Sequence, residues 1–325
     1  MQYTDILYTI DIKYIDIMLC SIYSLIHNSN LSNIRLHIVC ENFLDDDYNY
    51  IDNFMCNYPN IEYELYPMEE VKCSIPKWSD CHAANARLFY PKILKKYNKN
   101  IHNLLYIDSD TFIVNDLSNI EIYKDNLINA CSDITSNKYR KQLKLNRYYN
   151  SGVLYINTDK WLDMEMDNKI RFFLKYNNTP LRFPDQDTLN IVMKNDISKL
   201  PLQYNVGTYP FIFNDLELKF LCGSPRMQES YEELIEARKN PIILHSYDLY
   251  WIKPWDKNNI NPFSEMFDET IKKINPYFNK HELEGFKSKL ANNPTLLKNM
   301  ILVRNYTPDK LARLPKKLVL KNKGL

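Results

Sequence analysis

The sequence predicts an α/β protein: a single mostly parallel mixed sheet flanked by helices, followed by a helical C-terminal extension. Three observations predict it. Short β-rich runs alternate with segments of helical period through about residue 255, the arrangement that places helices on the faces of a parallel sheet. Each run is bounded by polar or turn-forming residues within a strand's length. Beyond residue 256 the pattern turns helical and loses its β-rich runs.

Taken in order, residues 5–10 (DILYTI) form a strand, and Ile15, Leu19, Ile22 and Ile26 recur at helical spacing directly after it. Residues 33–40 read as the second strand, 44–57 as a helix and 61–67 as the third strand. A helix over 83–97 ends in the polar YNKNIHN, and 104–108 make the fourth strand. Residues 126–133, 149–157 and 240–246 read as further strands. The stretch 158–176 is a helix opened by Thr158 or Asp159 as N-cap, and another helix starts just after Pro184. No internal repeat or low-complexity linker interrupts the series.

With 325 residues the chain accommodates one core domain and an appendage, because single cores stop growing near roughly 250–300 residues. Lys and Arg total 41 against 40 Asp and Glu, so no global field draws it to nucleic acid. Charges interrupt every apolar run well short of the roughly 20 residues that cross a bilayer. Asp5 and Asp11 break the apolar N-terminus, so no signal peptide is expected either. Seven cysteines without a C-x-x-C pair make neither a disulfide framework nor a zinc site, which points to reduced thiols and a cytoplasmic setting. The five glycines, at 152, 207, 223, 285 and 324, allow neither G-x-G-x-x-G nor a P-loop. Any nucleotide must be held without a glycine cradle.

The chemistry concentrates in three segments. In NLLYIDSDTFIV (103–114) an apolar strand runs into Asp108 and Asp110, and no Lys or Arg in the segment balances them. Side chains alternate faces along a strand, so Asp108 and Asp110 point the same way while Ser109 points opposite. At the carboxyl end of a parallel strand they would stand where open α/β sheets bind ligands, and two such oxygens suit Mg²⁺ or Mn²⁺. D-x-D alone is a weak signal, since 185–187 and 45–47 spell it too, and a capping Asp beside a solvated one is the bland reading. In ILHSYDLYWIKPW (243–255), His245 ends an apolar strand as an imidazole acceptable to Mn²⁺, and Lys253 is a point charge for a phosphate; a core histidine is the alternative. In FPDQDTLN (183–190), Asp185 and Gln186 open a helix, as a cap or as a pair gripping sugar hydroxyls.

Read together, TIDIKY (9–14), NARLFYPKIL (85–94), LLYIDSDTFIV (104–114), YYNSGVLYINTDKW (148–161), FPDQDTLN and LHSYDLYWIKPW (244–255) resemble the motif series of glycosyltransferase family 8, which includes glycogenins and lipooligosaccharide galactosyltransferases. The resemblance covers about residues 5–255. It implies a GT-A fold with a Rossmann-like sheet over 1–255, an extension over 256–325, and retaining, Mn²⁺-dependent transfer of glucose or galactose from a UDP-sugar to a saccharide, glycoconjugate or protein hydroxyl. Mg²⁺ is the alternative metal. The resemblance further implies that Asp108, Asp110 and His245 hold the metal, with Asp108 and Ser109 along the nucleotide. Asp11 and Tyr14 would lie by the uracil or ribose, and Arg87 on the sugar and phosphate side. Asn150 and Gly152 would line the sugar pocket, Asp185 bind sugar hydroxyls, Gln186 face the anomeric carbon, and Lys253 meet the departing diphosphate.

Two departures stand out. Relatives read like H-x-x-G-x-x-K-P-W, whereas eight positions separate His245 from Lys253 here with no glycine between them. Ile12 and Lys13 replace a more polar pair in the first motif. Two rival readings remain: a sugar-nucleotide-binding protein without turnover, and a haloacid-dehalogenase-like phosphatase opening on LLYIDSDTF, which lacks the later acidic pair that chemistry needs. The tail 310–325 carries six cations and no acid, and suggests a peripheral contact with an anionic membrane.

Overall fold

Ile6, Leu7, Tyr8 and Ile10 are buried on both faces of their strand, which is why β1 (Thr4–Asp11) lies inside the sheet rather than at its edge. A computed structural model describes residues 3–68, 82–133, 137–178, 180–247 and 252–306. The basic tail at 310–325 and part of the 243–255 segment lie outside the described residues. After β1 come α1 (Ile15–Asn28), β2 (Ile34–Glu41), α2 (Asp45–Met55), β3 (Glu62–Pro67), α3 (Ala83–Ala86), α4 (Tyr90–Tyr97), β4 (Asn103–Ile107) and β5 (Thr111–Ile113). Next are β6 (Ile128–Ser132), α5 (Asn137–Gln142), β7 (Tyr149–Asn157), α6 (Thr158–Asp163), α7 (Met166–Tyr176), α8 (Pro184–Val192) and β8 (Ile197–Lys199). The remainder holds α9 (Tyr209–Ile212), α10 (Asp215–Cys222), α11 (Tyr231–Lys239), β9 (Ile243–His245), α12 (Ser264–Ile274), α13 (Gly285–Ala291) and α14 (Pro294–Tyr306).

The described residues fall into two compact units, one drawn from 1–131 and 149–200 and the other from 132–148 and 201–325. The first carries the expected sheet, in strand order β3-β2-β1-β4-β7-β6-β8. β1 pairs in parallel with β2 and β4, β2 with β3, and β6 with β8, while β4 and β7 run antiparallel. One face packs Leu7, Leu104, Leu154 and Ile156 against Phe89, Leu94, Trp161, Ile170 and Leu189 of the covering helices. In the second unit, capping boxes at Asn214/Glu217 and Ser230/Glu233 open α10 and α11. Its aromatic contacts include Phe211 on Phe263 and Trp255 on Phe267, with ring centres 5.4 and 5.8 Å apart. Helices dominate beyond residue 256, as the periodicity predicts. Among the described residues no helix is long and apolar enough to cross a membrane.

Several elements depart from the sequence reading for definable reasons. The helix expected over 83–97 is two helices broken at 87–89. Pro91 has no N–H for residue 87, so it sits in the first turn of α4 rather than inside a longer helix. The helix expected over 158–176 breaks at Glu165, which is left-handed with φ 51°. In a straight helix Trp161 and Met166 would lie about 140° apart around the axis, and the break lets both enter one core. Asn42, Lys144 and Asn258 also take positive φ, so most of the left-handed positions among the described residues carry side chains, with Gly285 at φ 56° the exception. β8, three half-exposed residues, is too short to register as a pattern. Finally, the strand before the acidic pair ends at Ile107. Asp108, Ser109 and Asp110 form a turn, closed by the Thr111 hydroxyl donating to the Asp108 carbonyl at 2.8 Å, so strand alternation does not govern where the carboxylates point.

Leu104, fully buried in the central strand, sets the expected cost of a core deletion. Leu104→Ala is expected to lower unfolding free energy by about 2–5 kcal/mol, whereas Ile122→Ala, 72 % exposed, should change it by less than about 0.5 kcal/mol in the same urea titration.

Candidate active site

The carboxyl ends of β1, β2 and β4 and the start of antiparallel β7 converge on one charged side chain, Arg87. It is 6 % exposed and lies in the break between α3 and α4. Its guanidinium pairs with Asp108 at 2.9 Å and with Asp185 at 3.4 Å. It donates to the Ser151 carbonyl at 2.7 Å and to the Ala84 carbonyl at 2.7 Å. The same group lies over the Tyr106 ring, 4.5 Å from its centre, and the Tyr106 hydroxyl donates to Asp108 at 2.5 Å. Part of the positive charge that segment 103–114 lacks therefore comes from Arg87. Burial opposes the charge on Arg87, but Asp108, Tyr106 and Asp185 more than offset it and hold the guanidinium protonated. Burial raises the pKa of the Asp185 carboxyl; Arg87 pulls it down and Asp108 pushes it further up.

Ser151 ties the two halves of this network together. Its hydroxyl donates to Asp185 at 2.9 Å, and its backbone N–H donates to the Gln186 side-chain oxygen at 3.0 Å. Asn190, one turn on, accepts from the Tyr149 N–H at 2.7 Å and donates to the Tyr149 and Gln186 carbonyls at 2.8 Å each. α8 is thereby fixed to β7 through backbone groups, and the orientation of Asp185 and Gln186 follows from the strand. Asn150 accepts from the Gly152 N–H at 2.8 Å, and the Gly152 carbonyl accepts from Asp108 N–H at 2.7 Å. The structure thus brings Arg87, Asp108, Asn150, Gly152, Asp185 and Gln186 into one hydrogen-bonded assembly.

A second buried carboxylate secures the approach to Arg87. Glu41, at the end of β2 and 1 % exposed, accepts from the N–H groups of His82 and Ala83 and from His82 Nδ1, each at 2.8 Å. The Thr9 hydroxyl donates to the Ala83 carbonyl at 2.8 Å. The start of α3 is therefore pinned to β1 and β2. Asp11 ends β1 and caps the turn after it, accepting from the Lys13 N–H at 3.1 Å and from Asn42 at 2.8 Å. Tyr14 is 38 % exposed beyond that turn. Ser109 and Asp110 lie half-buried in the turn after β4.

The second unit presents His245 and Lys253. His245 is 3 % exposed, its Nδ1 lies 2.9 Å from the Asn205 side-chain oxygen, and its ring centre lies 4.7 Å from that of Tyr247. The Asn205 oxygen can only accept, so Nδ1 is the donating nitrogen, the arrangement in which the other ring nitrogen of a histidine ligates a metal. Lys253 Nζ donates to the Ser246 carbonyl at 2.5 Å, and Asn261 bridges the Ser246 hydroxyl and the Ile252 carbonyl at 3.1 and 2.9 Å. Sequence reasoning passed over Tyr106, Ser151, Glu41, Asn190, Asn205 and Asn261. The available signal was a polar residue inside an otherwise apolar run, as at Ser151 and Glu41.

The family profile described as Glycosyl transferase family 8 matches residues 5–259. The chain belongs to glycosyl transferase family 8. Lipopolysaccharide 1,2-glucosyltransferase of Escherichia coli K12 is 25 % identical over 272 residues, covering 79 % of this chain and 74 % of that protein. General stress protein A of Bacillus subtilis is 26 % identical over 197 residues, covering 57 % of this chain and 63 % of that protein. The galactosyltransferase LgtC, solved with donor and acceptor sugar analogues, superposes with a TM-score of 0.67 at 20 % identity, over 84 % of this chain and 96 % of that one. The seven-stranded sheet with its flanking helices is the GT-A fold. Family 8 membership makes this a glycosyltransferase and removes the phosphatase alternative.

Arg87 and Asp185 are expected to respond oppositely to loss of charge. Arg87→Met leaves Asp185 buried beside Asp108 without a cation and should cost about 3–5 kcal/mol of stability. Asp185→Asn should stabilise the fold at pH 7, because the native pKa is raised above that of the unfolded chain. That gain should vanish in acid, where the carboxyl is protonated in both states; guanidinium unfolding at pH 7 and pH 3 measures both effects.

Proposed function

We propose that this family 8 enzyme transfers glucose or galactose from a UDP-sugar to a saccharide or glycoconjugate acceptor with retention of anomeric configuration, using Mn²⁺. The observation that carries the proposal is the network joining Asp108, Arg87, Ser151, Asp185 and Gln186, which links a carboxylate of the acidic pair to the polar pair suited to a sugar. In this reading residues 1–255 make the transferase domain and 256–325 an appended helical region with the basic tail.

Asp108, Asp110 and His245 would hold the metal. Two carboxylates and an imidazole suit Mn²⁺, with Mg²⁺ the poorer match because it favours oxygen ligands alone. A metal bound by these three side chains would supply Lewis-acid stabilisation to the UDP leaving group. The remaining work falls to side chains. Asp11 and Tyr14 bind the uridine, and Ser109 lies along the nucleotide. Asn150, Gly152 and Asp185 orient the sugar, with Arg87 fixing the Asp185 carboxylate through its guanidinium. Lys253 supplies positive charge to the departing diphosphate.

Gln186 is an amide, with no acidic proton and little nucleophilicity. A covalent glycosyl intermediate on it is therefore disfavoured. The acceptor hydroxyl would enter on the face from which UDP departs, and the Gln186 amide would stabilise the sugar there by hydrogen bonding. The cytoplasmic setting and a contact between the basic tail and anionic lipid belong to the same proposal, resting on the cysteine pattern and on the six cations of 310–325.

The test is UDP release from UDP-glucose and from UDP-galactose, each with Mn²⁺ or with EDTA, beside Asp110→Ala. Metal-dependent release from one sugar, reduced by about 10²-fold or more in the variant, is the expected outcome. UDP-sugar binding without turnover, even with saccharide acceptors present, would replace the transferase with a binding protein.

A further inference from the structure

The other end of the same sheet carries a cavity of about 170 Å³, beside the amino ends of β1, β2 and β4 and the far end of antiparallel β7. It lies a strand's length from the carboxyl ends where Arg87 and Asp108 meet. An engineered cavity of about 150 Å³ admits benzene. The space is therefore sized for one six-membered ring whose substituents reach the open mouth.

The walls are polar in a specific way. Tyr155 is only 4 % exposed, yet it lines the cavity, and among the described residues no hydrogen bond reaches its hydroxyl. Asn103 Oδ1, in the same wall, is buried without a hydrogen-bond partner. The buried Asn103 oxygen lacks a protein partner and the Tyr155 hydroxyl is left to the cavity, so both are available to a ligand there. Asn100 adds a second amide, Glu121 a carboxylate and Tyr3 an aromatic face.

Charge narrows the ligand class. Arg35 Nε is bound to Asp5 at 2.6 Å, with its guanidinium over the Tyr3 ring, and Asp5 also meets His37 at 2.9 Å. His102, at the rim, is paired with Asp159 at 2.6 Å. The one arginine lining the cavity is thus matched by Asp5, the His102 ring is already engaged by Asp159, and Glu121 adds a negative charge. Phosphate and carboxylate ligands are disfavoured there. Burial and the Glu121 carboxylate both keep the Tyr155 phenol protonated, so it acts as a donor. A phenol donor, two amides, a carboxylate that can accept from neighbouring hydroxyls and an aromatic face together match the mixed donors and acceptors of a polyol ring.

We propose that this cavity binds one pyranose unit of a neutral saccharide, as a second carbohydrate site separate from the Arg87 assembly. The site stands on its own wall chemistry and does not depend on which sugar nucleotide is the donor. A glycan chain held there would be retained near the enzyme between transfers.

Saturation-transfer NMR on the full chain, with methyl α-D-glucopyranoside and methyl β-D-galactopyranoside as probes, tests it. Saturable binding to at least one probe is expected, weakened about tenfold or more in Tyr155→Phe and in Glu121→Gln, and unchanged in Asp185→Asn and in the presence of inorganic phosphate. The Tyr155→Phe variant keeps the ring in place and should retain wild-type UDP release and thermal midpoint. No saturable binding, or binding lost in Asp185→Asn but kept in Tyr155→Phe, would overturn the proposal. If the wild type releases no UDP yet binds the probe in a Tyr155-dependent way, the transfer reading fails while this site stands.

Discussion

A guanidinium out of reach of bulk water holds the first unit's chemistry together. Arg87 is the cation against which Asp108 and Asp185 are placed, and it also fills backbone acceptors at Ala84 and Ser151. A lysine would carry the charge without the planar fork that reaches several acceptors at once. The break before Pro91 acquires a purpose from this: a continuous helix over 83–97 would aim residue 87 by helix geometry, whereas the loop aims it by its partners. Glu41 and Thr9 then fix the loop from β2 and β1. Strand ends, rather than local helix propensity, determine where the cation lies.

The second unit solves a similar problem with amides. Asn205 sets the tautomer of His245, while Asn261 holds Ser246 and Ile252 on either side of the segment that departs from the usual family spacing. Asn261 bonds both a side chain and a carbonyl across that insertion, so a longer loop without glycine still has fixed ends. Ser246 also receives the Lys253 ammonium on its carbonyl.

The sequence made the sheet legible because its strands are long apolar runs and its helices are amphipathic; β1, β2 and β7 appear nearly where their runs end. Asp108, Asp185 and Gln186 stand out because they lie next to strand or helix starts and ends, whereas Asn150 and Gly152, inside β7, are marked only by the resemblance to the family's motif series. What the sequence hid was pairing. Arg87 lies 21 positions before Asp108 and Glu41 lies 41 before His82, and nothing in a linear pattern says which carboxylate a buried cation will meet. The turn at 108–110 was hidden for a different reason: apolar residues on both sides imitate an unbroken strand, and only the Thr111 hydroxyl closing back on Asp108 ends it.

The left-handed residues carry a consequence for how such a protein can change. Asn42, Lys144, Glu165 and Asn258 adopt a backbone conformation that costs a side-chain-bearing residue roughly 1–2 kcal/mol and glycine almost nothing, with asparagine the best tolerated. In a chain with so few glycines, relief of that strain is one substitution away at Lys144 and Glu165. Neither position contributes a side chain to the Arg87 network. Drift that weakens the fold is therefore open to compensation by a local backbone change that leaves the Arg87 network untouched, so the scaffold has evolutionary headroom that its core packing alone does not reveal.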